Sequence, residues 1–329
     1  MVDPFWEACR VRDATARDLG EFGLIAAVVE RLGTSPTVLL GPGDDAAVVL
    51  APDGRVVATT DVLVEDVHFR LDWSTGYDVG RKAAAANLAD VAAMGATGTA
   101  LLVGLAAPPD LPVSWATDLA DGLRDVAALV GAVVVGGDTV TSERIVVSVT
   151  ALGDLAGRAP VTRAGAQPGD RVVVAGRLGW SAAGLAMLEH GGLPIEALVE
   201  AHLRPTPPYA MGPLLADLGA TAMCDVSDGL LADLGHLARA SGVHVDVESR
   251  RFERDAMLAK AVRVVGGHPL DYVMTGGEDH ALVATVPPGV VLPDGVQRIG
   301  VVKAGVGVRV IGWKPNRTGW EHFSPRVGS

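Results

Sequence analysis

The feature that most constrains this chain is a repeated pairing of a short apolar run with a carboxylate beside Gly, Ser or Thr. In the first instance, Asp44 and Asp45 lie between a Gly-Pro-Gly turn at residues 41–43 and the apolar residues 46–50, which predict a buried strand. Similar sequences follow at Thr59-Thr60-Asp61, Gly136-Gly137-Asp138, Asp225-Val226-Ser227-Asp228-Gly229 and Gly276-Gly277-Glu278-Asp279. Asp is common in turns, so a surface turn explains any one of them. Together they predict a site for a hard cation such as Mg²⁺, which takes oxygen ligands.

The composition is that of a globular protein with room for two domains. The chain has 329 residues, of which 49% are hydrophobic, and a net charge of −12. This acidity argues against nonspecific nucleic-acid binding, which needs basic patches. It is compatible with a phosphorylated ligand if metal ions neutralise the site.

The cysteines and the N-terminus bear on the compartment. Cys9 and Cys224 are the two cysteines, and they form neither a disulfide framework nor a zinc-ligand spacing, which favours a reducing environment. The N-terminus has no apolar signal-peptide core, and no apolar run reaches the length of a membrane span. We therefore expect a soluble cytoplasmic protein with neither a nucleic acid nor a membrane as its partner.

Apolar strand-like runs and segments of helical spacing alternate along the chain, which predicts an α/β (α+β) fold of two αβ domains. Residues 153–169 are rich in Gly, Ala, Pro and Arg and predict a boundary, which gives domains over residues 1–155 and 156–329. Residues 296–311 are expected to form a terminal β-hairpin.

The acidic segments are expected where strands end or helices begin. Residues 55–60 predict a strand that ends at Asp61, and residues 132–135 predict a strand that ends before Asp138. Asp228 precedes an expected helix and would be a natural N-cap.

ATP and a phosphate-monoester acceptor bring several negative charges together, and such charges repel strongly at reduced dielectric. Carboxylates that hold several Mg²⁺ ions can bridge donor and acceptor phosphates. An acceptor phosphate is already an anionic nucleophile near neutral pH, so positioning and charge neutralisation suffice without a strong general base. The candidate ligands are Asp45, Thr60, Asp61, Asp90, Asp138, Asp225 and Asp228, with Thr59 as a further oxygen donor.

Four more residues have both a functional and a structural interpretation. Arg163, beside Arg158 in the linker, either reaches an ATP phosphate or is a solvated charge. His68 either contacts an acceptor or is a loop histidine, and Trp320 either stacks on a planar ring or packs in the core. Lys82, on an Ala-rich helix, is expected to be solvated.

The ordered motifs of this chain resemble those of the thiamine-monophosphate kinases, a family of the aminoimidazole-ribonucleotide-synthetase-like ATP-binding superfamily. The resemblance extends from residues 21–25 to residues 320–323 and so covers nearly the whole chain. Its motifs are GDDAA at 43–47, TTD at 59–61, His68, NLADVAAMGA at 87–96, GGDT at 136–139, TRAGAQPGD at 162–170, HLRPTP at 202–207, DVSDGL at 225–230 and GGED at 276–279. Each motif is weak alone, but the ordered set is specific.

The resemblance implies Mg²⁺-dependent transfer of the ATP γ-phosphate to thiamine monophosphate, which gives thiamine diphosphate and ADP. The implied Mg²⁺ ligands are Asp45, Thr59, Thr60, Asp61, Asp90, Asp138, Asp225 and Asp228. Catalysis would depend chiefly on Asp45, Asp61, Asp90, Asp138 and Asp225. The implied ATP contacts are Gly137, Asp138, Arg163 and Ser227, and the implied substrate contacts are His68, Glu278 and Trp320.

The same resemblance implies a homodimer whose N-terminal sheets pair across the axis. The N-terminal domain would bind ATP and Mg²⁺, and a C-terminal αβ sandwich would complete the site. A carboxylate and an aromatic face suit the cationic thiazolium and the aminopyrimidine of the substrate. Two positions depart from the family pattern: many relatives carry Tyr or Phe in place of Trp320, and Asp-Tyr is commoner than Asp279-His280. The histidine is expected to be tolerated if its ring points away from the ligand.

Other functions would leave different sequence features. A selenophosphate synthetase needs a reactive Cys or selenocysteine in a Gly-rich loop, and Cys9 does not lie in one. A carbamoyl-handling hydrogenase-maturation relative would end in Cys, whereas this sequence ends at Ser329. A multi-metal phosphohydrolase could use the same carboxylates, although it usually has His ligands. A nucleotide-binding regulatory subunit would bind without turnover.

Overall fold

The computed structural model describes residues 14–42, 46–191, 193–252, 255–314 and 319. These residues form two compact units, each of which combines helices with β-sheet, as the sequence predicts. The first unit comprises the described residues up to Val91 together with Ala96–Gly157, and the second comprises Ala92–Gly95 and the described residues from Arg158 onward. The predictions for Asp45 and Trp320 lie outside the described residues.

The first unit contains three helices and six strands among its described residues. They are α1 (Ala16–Val29), β1 (Val38–Leu40), β2 (Val48–Val49), β3 (Val57–Val64), α2 (Gly76–Ala93), β4 (Thr97–Ala107), α3 (Val113–Ala128), β5 (Val133–Thr141) and β6 (Val146–Asp154). Strands β1 and β2 pair antiparallel, and the other four form a sheet in the order β3-β6-β4-β5. In that sheet β4 and β5 are parallel, whereas β6 is antiparallel to both of its neighbours.

Helix α2 covers one face of the four-stranded sheet, and the other face is open except at the end where Val38 and Val49 of β1 and β2 pack near Ala100 and Leu152. Leu88 and Val91 of α2 pack against Gly98 and Gly153 of the sheet, where any side chain would collide with them. The opposite face exposes apolar side chains, including Val62, Leu102 and Val140. We call this surface the open face; its other members are Thr60, Ser148, Thr150 and Asp138.

Two strands are longer than the sequence predicts. The ladder between β3 and β6 continues from Val57 to Val64, so Asp61 lies inside the strand and not at its end. Strand β5 likewise continues through the Gly-Gly-Asp sequence, and Asp138 is paired opposite Gly104. The prediction that both carboxylates follow strand ends is therefore wrong. Pairing with a neighbouring strand satisfies the backbone polar groups and outweighs the weak strand propensity of Gly and Asp.

Helices α2 and α3 approach closely because glycines form their contact. A Cβ at Gly80 would overlap the carbonyl oxygen of Leu119, and a Cβ at Gly122 would overlap that of Tyr77. Gly76 meets the Trp115 carbonyl in the same way. Because no side chain separates the two backbones, the position of α2 on the sheet is tightly determined.

The second unit contains a mixed six-stranded sheet and several helices. Its elements are β7 (Arg171–Ala175), α4 (Trp180–His190), α5 (Glu196–Leu203), α6 (Met211–Asp217), β8 (Ala222–Val226), α7 (Leu230–Ser241), β9 (His244–Glu248), a 3₁₀ turn (Ser249–Arg251), α8 (Ala256–Val265), α9 (Pro269–Thr275), β10 (Ala281–Val286), β11 (Val296–Lys303) and β12 (Gly307–Ile311). The strand order is β12-β9-β11-β7-β10-β8. Leucines of α5, α7 and α8 are fully buried in its main core: Leu198, Leu230, Leu234, Leu237 and Leu258.

The predicted hairpin over residues 296–311 is wrong. Strand β9 lies between β11 and β12, antiparallel to the first and parallel to the second. Asp246 of β9 is completely buried, and it pairs with Arg309 of β12 and Lys303 of β11. Buried charges need partners, so this placement of β9 gives Asp246 a cation on each side.

Among the described residues, none of the helices is both long enough and apolar enough to cross a bilayer.

The glycine contact makes a prediction about stability. We expect Gly80→Ala to lower the free energy of unfolding by about 1–3 kcal/mol or more, because its Cβ overlaps backbone that cannot move independently. Gly235 of α7 is the matched control, since a Cβ there meets nothing within 4 Å. Gly235→Ala should be neutral or stabilising by up to about 1 kcal/mol, through helix propensity. Urea unfolding measures both, and equal effects would contradict the proposed contact.

Candidate active site

The first group of oxygen donors lies where β3 meets α2. The Thr59 hydroxyl donates to Asp90 Oδ2 at 2.8 Å, and the Asp61 amide donates to Asn87 Oδ1 at 3.0 Å. Asn87 is buried and is itself held by a bond from its amide nitrogen to the Ala83 carbonyl. Asn87 and Asp90 thus lie on the same face of α2, as their spacing predicts.

Thr60 points the other way. Successive side chains of a strand alternate between faces, so Thr59 and Asp61 are directed to the helix side and Thr60 to the open face. The Thr60 hydroxyl donates to the Val149 carbonyl at 3.0 Å and accepts from the Thr150 hydroxyl at 3.1 Å. The segment therefore offers oxygen atoms on both sides of one edge strand.

Asp138 is at the opposite edge of the same sheet. Strands β3 and β5 are separated by β6 and β4, which at ordinary strand spacing is about 14 Å. Asp138 is exposed, and its Oδ1 accepts from the Thr139 amide at 2.8 Å. Within one chain the structure therefore does not bring Asp138 beside Asp61 and Asp90. Gly137 precedes it, and a Cβ there would overlap the Val103 carbonyl oxygen.

His68 lies in the turn after β3, and its ring is oriented by the backbone. Its Nδ1 accepts from the Val64 amide at 3.1 Å, which puts the proton of the neutral ring on Nε2. Its carbonyl accepts from Lys82 Nζ at 3.0 Å. Lys82 is only 4% exposed, so the expectation that it is solvated is wrong. The ammonium is instead used to fix the turn that carries His68.

The second group of carboxylates lies in the second unit. Asp225 is buried in β8, and Asp228 follows two residues after the strand. One ligand atom from each of Asp228, Asp233 and His236 lies within 4.8 Å of the others, a spacing that could hold a metal ion. Asp228 is not the N-cap of α7, which was the structural alternative to its role as a metal ligand. Gly229 takes that position with φ 114°, and the Asp228 amide donates to Asp233 Oδ2 at 3.1 Å.

The electrostatics of this group favour a cation. Burial and the negative charges of Asp225 and Asp228 raise the pKa of Asp233 to about 7, and the guanidinium of Arg163 acts in the opposite direction. The donors in both groups are almost all oxygens, the chemistry that Mg²⁺ prefers. The residues present therefore fit the predicted metal, with His236 as a nitrogen donor at the margin of the second group.

In the second unit, the segment 276–280 includes the side chains of Glu278, Asp279 and His280. Glu278 and His280 both have positive φ values, 61° and 51°, which non-glycine residues seldom adopt. Hydrogen bonds hold this backbone, since the Glu278 amide donates to the Ser227 carbonyl at 2.8 Å and the His280 amide to the Val226 carbonyl at 2.9 Å. The conformation fixes the direction of each side chain.

Each of the three side chains has a defined partner. Glu278 Oε2 is 3.6 Å from Nδ1 of the buried His202. Asp279 accepts from the Ser181 amide at 2.9 Å at the start of α4, and burial raises the pKa of its carboxyl to about 7. His280 Nδ1 lies 3.0 Å from Asp225 Oδ2. The imidazole therefore points to Asp225, a predicted metal-binding residue, and the expectation that its ring points away from the bound ligand stays a prediction.

Several of these residues were not identified from the sequence. Asp233 had a usable signal, because a residue early in a helix projects back toward the N-terminal turn where Asp228 lies. His202 and Asp279 stand in the quoted motifs, but the sequence did not predict their contacts with Glu278 and with the Ser181 amide, which join residues distant in sequence.

Arg163 lies beside a cavity of about 390 Å³ in the second unit. The cavity is lined by residues on either side of it, including Arg158, Thr162 and Ala164. The Arg163 carbonyl accepts from the Ser241 hydroxyl at 3.0 Å, which fixes its backbone while the side chain remains exposed.

Comparisons with known proteins show the family to which the chain is similar. The family model described as AIR synthase related protein, N-terminal domain, matches residues 43–155, and the corresponding C-terminal domain matches residues 167–312. The chain is 52% identical to a thiamine-monophosphate kinase of Mycobacterium tuberculosis over 294 residues, which cover 88% of this chain and 87% of that protein.

Two solved structures are similar over most of their length. A thiamine-monophosphate kinase from Stenotrophomonas maltophilia K279a has a TM-score of 0.77 and 33% identity, with 88% of this chain and 94% of that chain covered. A structure described as AaThiL complexed with AMPPCP and TMP also has a TM-score of 0.77, with 37% identity and 93% and 98% coverage.

The shifted pKa of Asp233 makes a prediction about pH. Its folded value of about 7 exceeds the unfolded value near 4, so the native state binds more protons between them, and the stability from this group is lost as the pH rises through 7. Asp233→Asn removes the ionisation and keeps the shape. In EDTA, we expect the free energy of unfolding of the variant relative to the wild type to rise by about 2 kcal/mol between pH 5 and pH 8.

The matched control is Asp294→Asn, which removes the charge of an exposed carboxylate of the same unit. Its difference from the wild type should be the same at both pH values. A pH-independent difference for Asp233→Asn as well would contradict the raised pKa.

Proposed function

The chain belongs to the thiamine-monophosphate kinase family, and we propose that it transfers the γ-phosphate of ATP to thiamine monophosphate, giving thiamine diphosphate and ADP. The observation that carries this proposal is the identity of 52% over 88% of the chain to a protein of that name. The oxygen-donor groups in the two units are the chemical support, because a reaction between two phosphorylated molecules needs its negative charge neutralised.

We assign Mg²⁺ as the metal. When bound, it neutralises phosphate oxygens and orients the donor and acceptor for in-line transfer. In the first unit, Thr59, Asp61 and Asp90 would hold it near the join of β3 and α2, with Thr60 on the other side of the strand. In the second unit, the proposed ligands are Asp225 and Asp228. Asp45 completes the proposed set.

The residues proposed to contact ATP are Gly137, Asp138, Arg163 and Ser227. Arg163 has an exposed guanidinium whose charge reaches the carboxylate cluster around Asp233, so it can approach a phosphate near that cluster. Arginine offers a planar fork of donors that matches phosphate oxygens.

For the acceptor, we propose His68, Glu278 and Trp320 as contacts. Glu278 supports this role because its backbone is fixed in a left-handed conformation and its carboxylate is only partly buried. A fixed carboxylate can pair with the cationic thiazolium ring. The acceptor phosphate is itself the nucleophile, so these residues need only position it and no base is assigned.

We also propose a cytoplasmic homodimer. Two observations support the cytoplasmic location. The proposed reaction consumes ATP, and Cys224, the cysteine among the described residues, is a free, buried thiol. The open face supports the dimer, since it exposes Val62, Leu102 and Val140 together on one sheet. Large apolar side chains exposed on one face of a sheet are typical of an interface. A second copy on this face would also explain why Asp138 and Asp61 lie at opposite edges, because the edge strand β5 of one copy can then approach β3 of the other.

A coupled assay of ADP formation tests the reaction. We expect turnover that requires both thiamine monophosphate and Mg²⁺. Asp138→Asn should reduce kcat at least about a hundredfold, because it weakens the neutralisation of the phosphates, whereas Asp110→Asn at an exposed loop should leave it unchanged. Phosphate release without the acceptor would favour a phosphohydrolase, and ATP binding without turnover would favour a regulatory subunit.

Mixing two inactive variants tests whether the site is shared between copies. If Asp61 of one copy works with Asp138 of the other, Asp61→Asn and Asp138→Asn should complement after subunit exchange. Half of the dimers are then mixed and each has one intact site, so about a quarter of the wild-type activity should return. Activity no greater than that of the separate variants would assign both residues to the same chain's site.

A further inference from the structure

The contact between His280 and Asp225 is not accounted for by the roles assigned so far. Both side chains are buried, with 6% and 3% exposure, and His280 Nδ1 lies 3.0 Å from Asp225 Oδ2. An ionised carboxylate can only accept hydrogen bonds. The imidazole therefore donates through Nδ1–H, which fixes its tautomer.

The backbone holds this contact in place from both sides. Asp225 lies in β8, paired opposite Leu282 of β10, so its Cα cannot shift without breaking the sheet. His280 immediately precedes β10, has φ 51°, and its amide donates to the Val226 carbonyl. Two anchored backbones and one hydrogen bond leave the Asp225 carboxylate a single orientation.

Electrostatics make such an anchor necessary. Asp225 lies close enough to Asp233 to raise the pKa of that carboxyl, so the two negative charges repel each other. A carboxylate in that position, with nothing to hold it, would rotate away from its neighbour. The Nδ1–H of His280 opposes this rotation by binding Oδ2, and Oδ1 is then the oxygen directed to a cation.

We propose that His280 is a positioning residue that orients the Asp225 carboxylate toward the divalent metal. The inference rests on the proposed function, which makes Asp225 a metal ligand. Hydrogen bonds of this kind to metal-binding side chains typically contribute 10- to 100-fold to metal affinity. The alternative is that His280 only fills space in the core, in which case an apolar ring of similar size would serve equally well.

Titration with Mn²⁺, followed by the electron paramagnetic resonance signal of the free ion, distinguishes these two roles without measuring turnover. We expect His280→Phe to weaken Mn²⁺ binding about tenfold at the site that Asp225 serves. His280→Gly suits the positive φ and removes the ring, and it should give the same loss even if the Phe variant does not fold.

The conservative variant His280→Asn is the decisive comparison. Its amide nitrogen can occupy the place of Nδ1, and Asn tolerates a positive φ better than most residues. We expect it to restore Mn²⁺ affinity to within about threefold of the wild type, since the hydrogen bond is retained. If His280→Asn does not restore the Mn²⁺ affinity that His280→Gly loses, the positioning role is wrong.

Two controls separate this inference from the proposed function. His244→Phe removes a similar histidine–carboxylate contact, the 3.2 Å pair with Asp246, from another part of the second unit and should not change Mn²⁺ binding. Asp225→Asn should weaken binding by itself. If Asp225→Asn weakens binding but His280→Phe and His280→Gly do not, the inference is wrong and the proposed ligand stands. If Asp225→Asn has no effect, the ligand assignment is wrong, and the inference fails with it.

Discussion

Repulsion between carboxylates is the physical constraint on which the candidate site depends. Asp225, Asp228 and Asp233 lie together in the second unit, where burial and then the charges of the other two carboxylates raise the pKa of Asp233 to about 7. A protein keeps such a cluster only if rigid backbone holds it together. Here a strand, a helix and the segment 276–280 supply that support, and the charge is left for a cation to neutralise.

The first unit holds its oxygen donors in place in a different way. Asp90 and Asn87 are on a helix and contact an edge strand through Thr59 and the amide of Asp61. The first contact joins a neutral hydroxyl to a carboxylate and the second joins two neutral groups, so hydrogen bonds order these oxygen atoms. The two units therefore hold their oxygen donors in different ways. In the second unit, rigid backbone holds carboxylates together against their repulsion, and in the first unit, hydrogen bonds hold the donors in place.

The sequence predicted the mixed fold of two αβ units, because hydrophobic periodicity is a local property. Its motifs also indicated the correct family. What it missed depends on contacts distant in sequence. The strand β9 lies between β11 and β12, where Asp246 pairs with Arg309 and Lys303, and no local pattern encodes these contacts. The partners of His280, Asp279 and Lys82 were missed for the same reason.

The glycines between α2 and α3 have a consequence for the chemistry. With Gly80 against the Leu119 backbone and Gly122 against the Tyr77 backbone, α2 has no freedom to roll about its own axis. Rolling by even one residue's angle would carry Asp90 away from Thr59. The glycines on one face of the helix therefore determine the direction of the Asp90 carboxylate on another face. The position of this oxygen donor depends on backbone atoms that do not themselves contact a phosphate.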